Sequence, residues 1–322
     1  MLIASRAVRA VRRGLHACRR TNQPLHAPYV AGRAQMPASR ESEAGADEFI
    51  AGFIGSENYA AGCASIVGQD TSGSPCLRTV RVGEAALEQH PHSVRVVLIS
   101  DTHETHGRLS IPAGDVLIHC GDVLMLNRLY TVESSDAKLR QFNNWMSALP
   151  HKEKVVVGGN HDFRMGQLGA ARVQSLLSGC EYLENEARTL KCGLRVFGSP
   201  ASFANSTASQ NRAFQLPEAE LERIFARAAR EDGSRDVDIL VTHGPVELLQ
   251  PALSFLRETQ TKLSVWGHVH EDHGVKHVAL GDGQHVVGIN AATMGSSFAP
   301  TNPPVVVDVI PKSHAWRNRP RL

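Results

Sequence analysis

Short runs of β-branched and other apolar residues alternate with helical patterns from about residue 93 onward. These runs are "SVRVVLIS" (93–100), "VLIHC" (116–120), "KVVVGG" (154–159), "LRVFGS" (194–199), "DILVTHG" (238–244), "LSVWGH" (263–268), "HVVGIN" (285–290) and "VVVDVI" (305–310). Continuous apolar runs that are bounded by glycine or histidine predict strands covered on both faces.

Helices are predicted between these strands. Ser135 or Asp136 is expected to cap the first one, and Pro150 to end it. Its apolar stripe comprises Leu139, Phe142, Trp145, Met146 and Leu149. Pro217 opens a second helix, "PEAELERIFARAAR", with acids in its first turn and arginines in its last. Strands that alternate with helices early and are joined by shorter links later predict an α/β sandwich of sheets and not a barrel.

Polar residues of a restricted set follow five of the predicted strands. They are Asp101 with His103, Asp122, Asn160 with His161 and Asp162, His243, and His268 with His270. In an extended segment positions i and i+2 project to the same side, so we expect Asp101 and His103 to face a common point.

Each of these residues, taken alone, has an ordinary structural explanation. Asp101 fits a helix N-cap, and Asp122 and Asn160 each follow a glycine, as turn residues often do. His268 alone fits a hydrogen-bonded core histidine. Taken together, uncompensated polar groups at one edge of a sheet would cost stability, so the set predicts a binding site.

The residue types indicate a metal site. Asp, Asn and His without cysteine fit Mn²⁺, Fe or Zn²⁺, whereas an all-oxygen set would indicate Mg²⁺ or Ca²⁺. Cys120 comes from inside an apolar run, and we interpret it as a small buried hydrophobe. Seven of these residues, all except His161 and Asp162, are the candidate ligands. Seven are too many for one ion, and two ions about 3.5 to 4 Å apart that share one carboxylate would use them.

Composition narrows the classes of partner. The 34 basic and 32 acidic residues almost cancel, so bulk charge favours neither long nucleic acid nor an anionic membrane. The six cysteines are scattered without a C-x-x-C pair, which predicts a reducing compartment. No apolar run approaches the roughly 20 residues that span a bilayer, so we expect no membrane segment.

The charge balance breaks down at the amino terminus. Residues 1–40 carry eight arginines and no acid, as an organelle transit peptide does, although a disordered basic tail has the same composition. We expect targeting to the mitochondrion or another organelle, and otherwise a cytoplasmic protein. Residues 41–92 are expected to be a linker or loosely ordered extension, 93–311 the folded domain and 312–322 a tail.

The motifs together resemble those of the calcineurin-like metallophosphoesterases. The motif blocks are Asp101-x-His103, Gly121-Asp122, Gly159-Asn160-His161-Asp162, Thr242-His243-Gly244 and Gly267-His268-x-His270, and the resemblance covers roughly residues 94 to 310. The stretch "INAATMGSSFAPTNPPVVVDV" is similar to the metallophosphoesterase-domain-containing branch, which is cyclic-nucleotide-phosphodiesterase-like. Asp122 is followed by Val-Leu-Met and not by the Asp-Arg-Gly of Ser/Thr protein phosphatases.

The resemblance implies a fold and a set of roles. The fold would be a β-sandwich of two mixed sheets flanked by helices. Metal one would be held by Asp101, His103, Asp122 and His270. Metal two would be held by Asp122, Asn160, His243 and His268, with Asp122 as the bridge. A hydroxide held between the ions, with Mn²⁺ expected first and Fe or Zn²⁺ as alternatives, would attack phosphorus. His161 would assist the leaving oxygen, and Asp162 would orient His161.

The resemblance also implies the substrate, a small phosphodiester or nucleotide. In the loop "ASFANSTASQNRAF" (201–214), Phe203 and Phe214 are candidates to stack on a base and Arg212 to meet a phosphate, with a solvated loop as the alternative. A phosphomonoesterase, a nuclease and a metal-retaining scaffold without catalysis remain alternatives. Scaffolds tend to lose ligands, and this chain keeps all of them.

Overall fold

The computed structural model describes residues 50–54, 63–69, 75–81, 89, 93–125, 130–203, 209–281, 283–295 and 297–312. For the three strands before residue 82 the backbone alone is described. The basic segment 1–40 and all but the first residue of the tail 312–322 lie outside the described residues, so those predictions stay predictions.

The first half of the fold contains seven of the eight strands of one sheet, together with three helices. Its strands are β1 (Ile50–Ile54), β2 (Cys63–Gln69), β3 (Pro75–Arg81), β4 (Val94–Ile99), β5 (Val116–His119), β6 (Glu153–Val156) and β7 (Glu181–Tyr182). Its helices are α1 (Val132–Ala148), α2 (Phe163–Leu168) and α3 (Ala170–Leu176). A short 3₁₀ helix, His106–Arg108, follows β4.

The second half builds the other sheet and returns to the first. Its strands are β8 (Glu186–Thr189), β9 (Arg195–Ser199), β10 (Ile239–Thr242), β11 (Leu263–Trp266), β12 (Gly274–Gly281), β13 (Gln284–Asn290) and β14 (Val305–Val309). Its helices are α4 (Glu218–Ala228) and α5 (Gln250–Thr259). Short 3₁₀ helices cover Ser234–Asp236, Val246–Leu248 and His270–Asp272.

The strands form two mixed sheets. The first has the order β3-β2-β14-β4-β5-β6-β7, with β1 also paired to β14, and the second has the order β12-β13-β11-β10-β9-β8. The central strands β4, β5 and β6 run parallel, as do β9, β10, β11 and β13. Strands β8 and β12 lie antiparallel at the two edges of the second sheet. The predicted α/β sandwich of two mixed sheets flanked by helices is confirmed.

Strand β4 shows why the predicted strands are apolar on both faces. Its Val96 and Leu98 belong to a core shared with residues of the second sheet such as Val241. The alternate residue Val97 belongs instead to a core shared with α1, through Phe142. Because side chains alternate across a strand, burial on both sides requires an unbroken apolar run. A third core packs Phe197, Leu240 and Trp266 of the second sheet against α4 and α5.

Helix α1 begins earlier than the sequence pattern predicts. Thr131, and not Ser135 or Asp136, is the N-cap, and its Oγ1 accepts a hydrogen bond from the backbone N–H of Ser134 over 3.2 Å. The first turn packs against no core, so Val132 is 52% exposed and the apolar periodicity carries no signal there. Asp136 instead accepts a hydrogen bond from Arg164 at 2.6 Å. The helix ends before Pro150, as predicted.

Residues 41–92 contain regular structure, although we expected a linker or loosely ordered extension. Strand β1 pairs antiparallel with β14, and β2 pairs antiparallel with β3 and contacts β14 in parallel at Ser65. Strand β14 lies more than 200 residues further along the chain, so no local pattern identifies its pairing with β1 or its contact with β2. The domain boundaries themselves remain a prediction. None of the helices in the described part of the chain combines the length and apolar composition that a bilayer crossing needs.

Candidate metal centre

The backbone that carries the predicted ligands is left-handed at several of them. Asp101 has a φ of 53°, His103 of 40°, Asp122 of 57° and His268 of 68°. Asp and His enter this region more readily than most residues, yet it still costs about 1 to 3 kcal/mol for each residue. The expectation that Asp101 and His103 lie in an extended segment is therefore wrong, because the left-handed backbone at each of them sets the direction of its side chain.

The loops after β4, β5 and β6 approach each other closely. The N–H of Asp101 donates to the carbonyl of Gly121 over 2.9 Å, and the N–H of His103 donates to that of Asp122 over 3.1 Å. Gly121 has a φ of 100°, and a Cβ there would lie 2.6 Å from both the Gly158 oxygen and His243 Nδ1. Glycine is therefore required at this point, because three loops meet with no room for a side chain.

One group of ligand atoms is formed by Asp101, His103 and His270. Nε2 of His270 lies 3.3 Å from Oδ1 of Asp101 and 3.4 Å from Nε2 of His103. The Asp101 carboxylate also accepts the backbone N–H of His268, at 3.1 and 3.0 Å. Burial opposes ionisation of Asp101, but the hydrogen bond with His270 and the charge of His243 outweigh it and lower its pKa. A buried carboxylate is thus held as an anion, in reach of two imidazoles.

Asp122 lies between two groups of ligand atoms. Its Oδ2 is 3.3 Å from Nε2 of His243 and 3.8 Å from Nε2 of His103. Its ligand atom falls within 4.8 Å of those of Asp101 and His243 in one set of three residues, and of those of His103 and His161 in a second set. Asp122 therefore has the position that a bridging carboxylate needs.

Asn160 completes the second group with two histidines. Its Oδ1 is 2.9 Å from Nε2 of His243 and 2.7 Å from Nδ1 of His268. The orientation of the amide follows from its other end, because Nδ2 donates to the carbonyl of Asn211 over 3.2 Å. Through these contacts the seven predicted ligands form one connected cluster.

The hydrogen bonds behind the histidines show that this cluster fits metal ions. Nε2 of His268 is 2.9 Å from the carbonyl of Phe203, which can only accept, so the ring proton lies on Nε2. Burial and the charge of His243 lower the pKa of His268 to about 4, so its Nδ1 carries a lone pair. That lone pair faces the lone pairs of the Asn160 oxygen. Two acceptors this close repel each other unless a cation lies between them, and metal-bound histidines are held from behind in this way.

Two of the other three ligand histidines, His103 and His243, follow the same pattern. Nδ1 of His103 faces the carbonyl of Leu124 at 3.1 Å, and Nδ1 of His243 faces that of Cys120 at 2.9 Å. In both rings Nε2 is left to point at Asp122. Burial alone would lower the pKa of His243, but the charge of Asp122 raises it to about 9. The site therefore needs positive charge, which a metal ion would supply in place of the proton.

His161 and Asp162 differ from the ligands in their contacts. The buried Asp162 carboxylate accepts the backbone N–H groups of Gly159 and Leu124 at 2.8 Å and of Val123 at 3.2 Å. Burial and the charge of Asp122 raise its pKa to about 7. These bonds tie the turn after β6 to the loop after β5. Asp162 thus holds the backbone next to His161 in place, and the expected orientation of the His161 ring by Asp162 stays a prediction.

The His161 ring lies at the rim of the cluster. Its Nε2 is 2.8 Å from Nδ2 of Asn211 and 3.9 Å from Oδ2 of Asp122. Its Nδ1 is buried, and no described group bonds to it. Burial lowers the pKa of His161 to about 4. Because the amide Nδ2 donates to Nε2, the neutral ring carries its proton on Nδ1.

Residues that the sequence pattern did not indicate also contact the cluster. Asn211 bonds to both Asn160 and His161, and nothing in the sequence of its loop distinguishes it. Phe298, 51% exposed, packs its ring 4.8 Å from that of His270 and 5.6 Å from that of His103. The one available sequence signal for Phe298 was its place in the stretch "INAATMGSSFAPTNPPVVVDV", which is similar to the metallophosphoesterase-domain-containing branch.

The three residues named in the 201–214 loop have different surroundings. The ring of Phe203 lies edge-on to His268, 5.0 Å between centroids, and its carbonyl anchors that histidine. Phe214 is partly buried against the core shared with α1, and its role in stacking on a base stays a prediction. Nε of Arg212 donates to the carbonyl of Ser209 over 2.8 Å.

Comparison with known proteins agrees with the fold and the cluster. A family model described as calcineurin-like phosphoesterase matches residues 94–272, which include all seven predicted ligands. The chain therefore belongs to the calcineurin-like phosphoesterase family, and the resemblance inferred from the motifs is confirmed.

Two individual relatives and one solved structure are similar to more than half of the chain. The chain is 31% identical over 258 residues to metallophosphoesterase domain-containing protein 1 of Homo sapiens, covering 68% of this chain and 72% of the relative. The protein of the same name from Mus musculus has the same identity and coverage. A solved structure, TT1561 of Thermus thermophilus, is 13% identical with a TM-score of 0.41, covering 62% of this chain and 88% of that one.

Proposed function

We propose that the protein is a binuclear-metal-dependent phosphodiesterase. The observation that carries this proposal is the convergence of lone pairs at two adjacent points on either side of Asp122. His103 and His270 face Asp101 at one point, and His243 and His268 face Asn160 at the other. Family membership makes hydrolysis of a phosphoric ester the expected chemistry for such a centre.

Each ion would have four ligands from this chain. Asp101, His103, Asp122 and His270 would hold the first, and Asp122, Asn160, His243 and His268 the second. Bound there, two divalent ions would acidify a water as the nucleophile and neutralise charge that develops on the phosphoryl oxygens. The nitrogen-rich ligand set suits Mn²⁺, Fe or Zn²⁺ better than Mg²⁺ or Ca²⁺, and we expect Mn²⁺ first.

The protein side chains have separate tasks around the ions. Asp101 and Asp122 supply two negative charges against the four positive charges of two divalent ions, and neutral imidazoles add none, so the centre would keep a net positive charge for an anionic substrate. His161 stands at the rim, with Nε2 occupied by Asn211 and the proton on Nδ1. To assist the departing oxygen, the ring would carry its proton on Nε2, the nitrogen that faces Asp122 at 3.9 Å, and would exchange the Asn211 contact for a hydrogen bond to that oxygen.

The charge of the cluster supports a diester substrate. A phosphomonoester is a dianion near neutral pH and is commonly held by an additional Arg or Lys. Among the described residues, the side chains that form this cluster and contact its rings are those of Asp, Asn, His and Phe. A diester carries one negative charge and needs no further cation, so the proposal favours a small phosphodiester or nucleotide over a monoester.

Metal replacement with two substrates tests the function. Protein stripped of metal and reloaded with Mn²⁺ should hydrolyse bis-p-nitrophenyl phosphate at least tenfold faster than it hydrolyses p-nitrophenyl phosphate. Excess chelator should abolish both reactions. Faster turnover of the monoester would replace the diesterase with a phosphomonoesterase. Bound Mn²⁺ without turnover of either ester would indicate a non-catalytic scaffold.

A further inference from the structure

A cavity of about 290 Å³ lies beside the cluster of candidate metal ligands and is lined in part by His161. Leu124 and Met125, from the loop after β5, line one side of it, and Val132 of α1 another. Phe163 and Gln167 of α2 close it. The same loop carries Asp122 at its beginning, so the cavity and the proposed site share a wall.

His161 belongs to both spaces. It lines the cavity, its Nε2 lies 3.9 Å from Oδ2 of Asp122, and its ring is 4.6 Å from that of His103. A group in the cavity would therefore touch the one residue to which we assign the leaving oxygen. The cavity is in position for the organic part that departs with that oxygen.

The walls indicate an uncharged occupant. Leu124, Met125 and Phe163 are apolar. Among the described lining residues the charged one is Arg164, whose guanidinium donates to Asp136 over 2.6 Å, so its charge is compensated. This described part of the lining offers a second phosphate no uncompensated charge to balance its own. A flat aromatic ring system suits apolar walls with a few polar groups at the rim.

The volume limits the size of that occupant. Pockets for drug-sized ligands run from about 300 to 1,000 Å³, so this one is small. It accommodates one ring system, such as a bicyclic aromatic or a nucleobase, and no oligomer. We infer that the cavity binds the leaving group of the substrate, an uncharged aromatic or heteroaromatic alcohol. This inference rests on the proposed phosphodiesterase function.

Two blocking variants and a matched control test the inference. Gln167 is exposed on α2 and Val132 is 52% exposed at the start of α1, so Gln167→Trp and Val132→Trp fill the cavity from its rim without entering the core. Gln141→Trp makes the same exchange on an exposed face of α1 that does not line the cavity. The substrates are methyl p-nitrophenyl phosphate and methyl 4-methylumbelliferyl phosphate, which differ in the size of the leaving group.

The expected result is selective. Both blocking variants should lower kcat/KM for the bicyclic substrate at least tenfold through KM, and lower kcat/KM for the monocyclic one less than threefold. Gln141→Trp should change neither. Equal losses on both substrates, or no loss on either, would overturn the assignment of the cavity.

A binding measurement separates this inference from the proposed function. 4-Methylumbelliferone should bind the Mn²⁺-loaded protein, followed by its fluorescence, and bind at least tenfold more weakly to Gln167→Trp. If the wild type hydrolyses neither ester, the phosphodiesterase proposal fails, and this titration still decides the cavity. Unchanged binding in both blocking variants would refute it.

Discussion

Nδ1 of His268 lies 2.7 Å from Oδ1 of Asn160, although both atoms carry lone pairs. The His268 proton is on Nε2, toward the Phe203 carbonyl, and the amide is oriented by its bond to Asn211. Neither atom can donate to the other. The pair is arranged to share a cation, and it defines the second of the two proposed metal positions.

Loss of His268 should therefore empty one position and spare the other. Protein carrying His268→Ala is expected to bind about one Mn²⁺ per chain where the wild type binds two, because the first position keeps all its ligands. Elemental analysis after desalting measures this. His285→Ala, at an exposed position near the start of β13, is the control and should keep both ions. Full occupancy in His268→Ala would contradict the ligand assignment.

Asp122→Asn should have a wider effect, because Asp122 reaches both groups of ligand atoms. An amide keeps the shape but removes the charge that both ions need. We expect metal content to fall at both positions and turnover of bis-p-nitrophenyl phosphate to fall by about 100-fold or more. The exposed Asp232→Asn serves as the control. A variant that kept two ions would show that Asp122 does not bridge them.

His161→Ala separates binding from chemistry. The variant should keep both ions, while kcat falls by about 10² to 10⁴, the usual range for a positioned acid or base. The loss should be smaller for p-nitrophenolate esters than for alkoxide or ribose leaving groups, which need protonation. Metal per chain and kcat on substrates of unlike leaving-group pKa are the measurements. An emptied metal position, or equal losses on both substrates, would remove the proposed leaving-group role.

Gly121→Ala should destabilise the fold itself. The residue has a φ of 100°, and a Cβ would meet the Gly158 oxygen and His243 at 2.6 Å. Strain and overpacking together predict a loss of about 2 to 4 kcal/mol in the free energy of unfolding.

Gly283→Ala is the matched control for that loss. Gly283 has a φ of 75° with nothing within 4 Å of the Cβ position, so strain alone, about 1 kcal/mol, is expected there. Denaturant titrations of both variants measure the difference. Equal losses would show that the three loops have room to move apart.

The basic amino-terminal segment is tested separately from the enzyme. A fluorescent reporter fused behind residues 1–45 should accumulate in an organelle, with the mitochondrion expected first, because the first 40 residues combine eight arginines with no acid. Microscopy with an organelle dye reads this out. The same fusion with these arginines changed to glutamine should stay diffuse. A diffuse signal from the unchanged segment would indicate a disordered tail.

Several features of the protein were readable from local sequence alone. The buried strands were, because burial on both faces demands unbroken apolar runs, and Val96 and Val97 of β4 do pack into different cores. The candidate ligands were readable for a related reason. Asp, Asn and His are expensive to bury without partners, so their repeated occurrence at strand ends indicated a shared site before any distance was known.

Other features depended on contacts between distant parts of the chain. The first turn of α1 touches no core, so the apolar pattern placed the start of that helix too late. Strand β1 pairs with β14, which lies more than 200 residues further along the chain. The left-handed turns at Asp101 and His103, the bonds from Asn211 and the cavity beside His161 all form where separate loops meet. Sequence by itself determined which residue types lie at the strand ends, since that follows from local burial. The tertiary structure alone decided how they face one another, because hydrogen bonds between loops from both sheets set each side chain's direction.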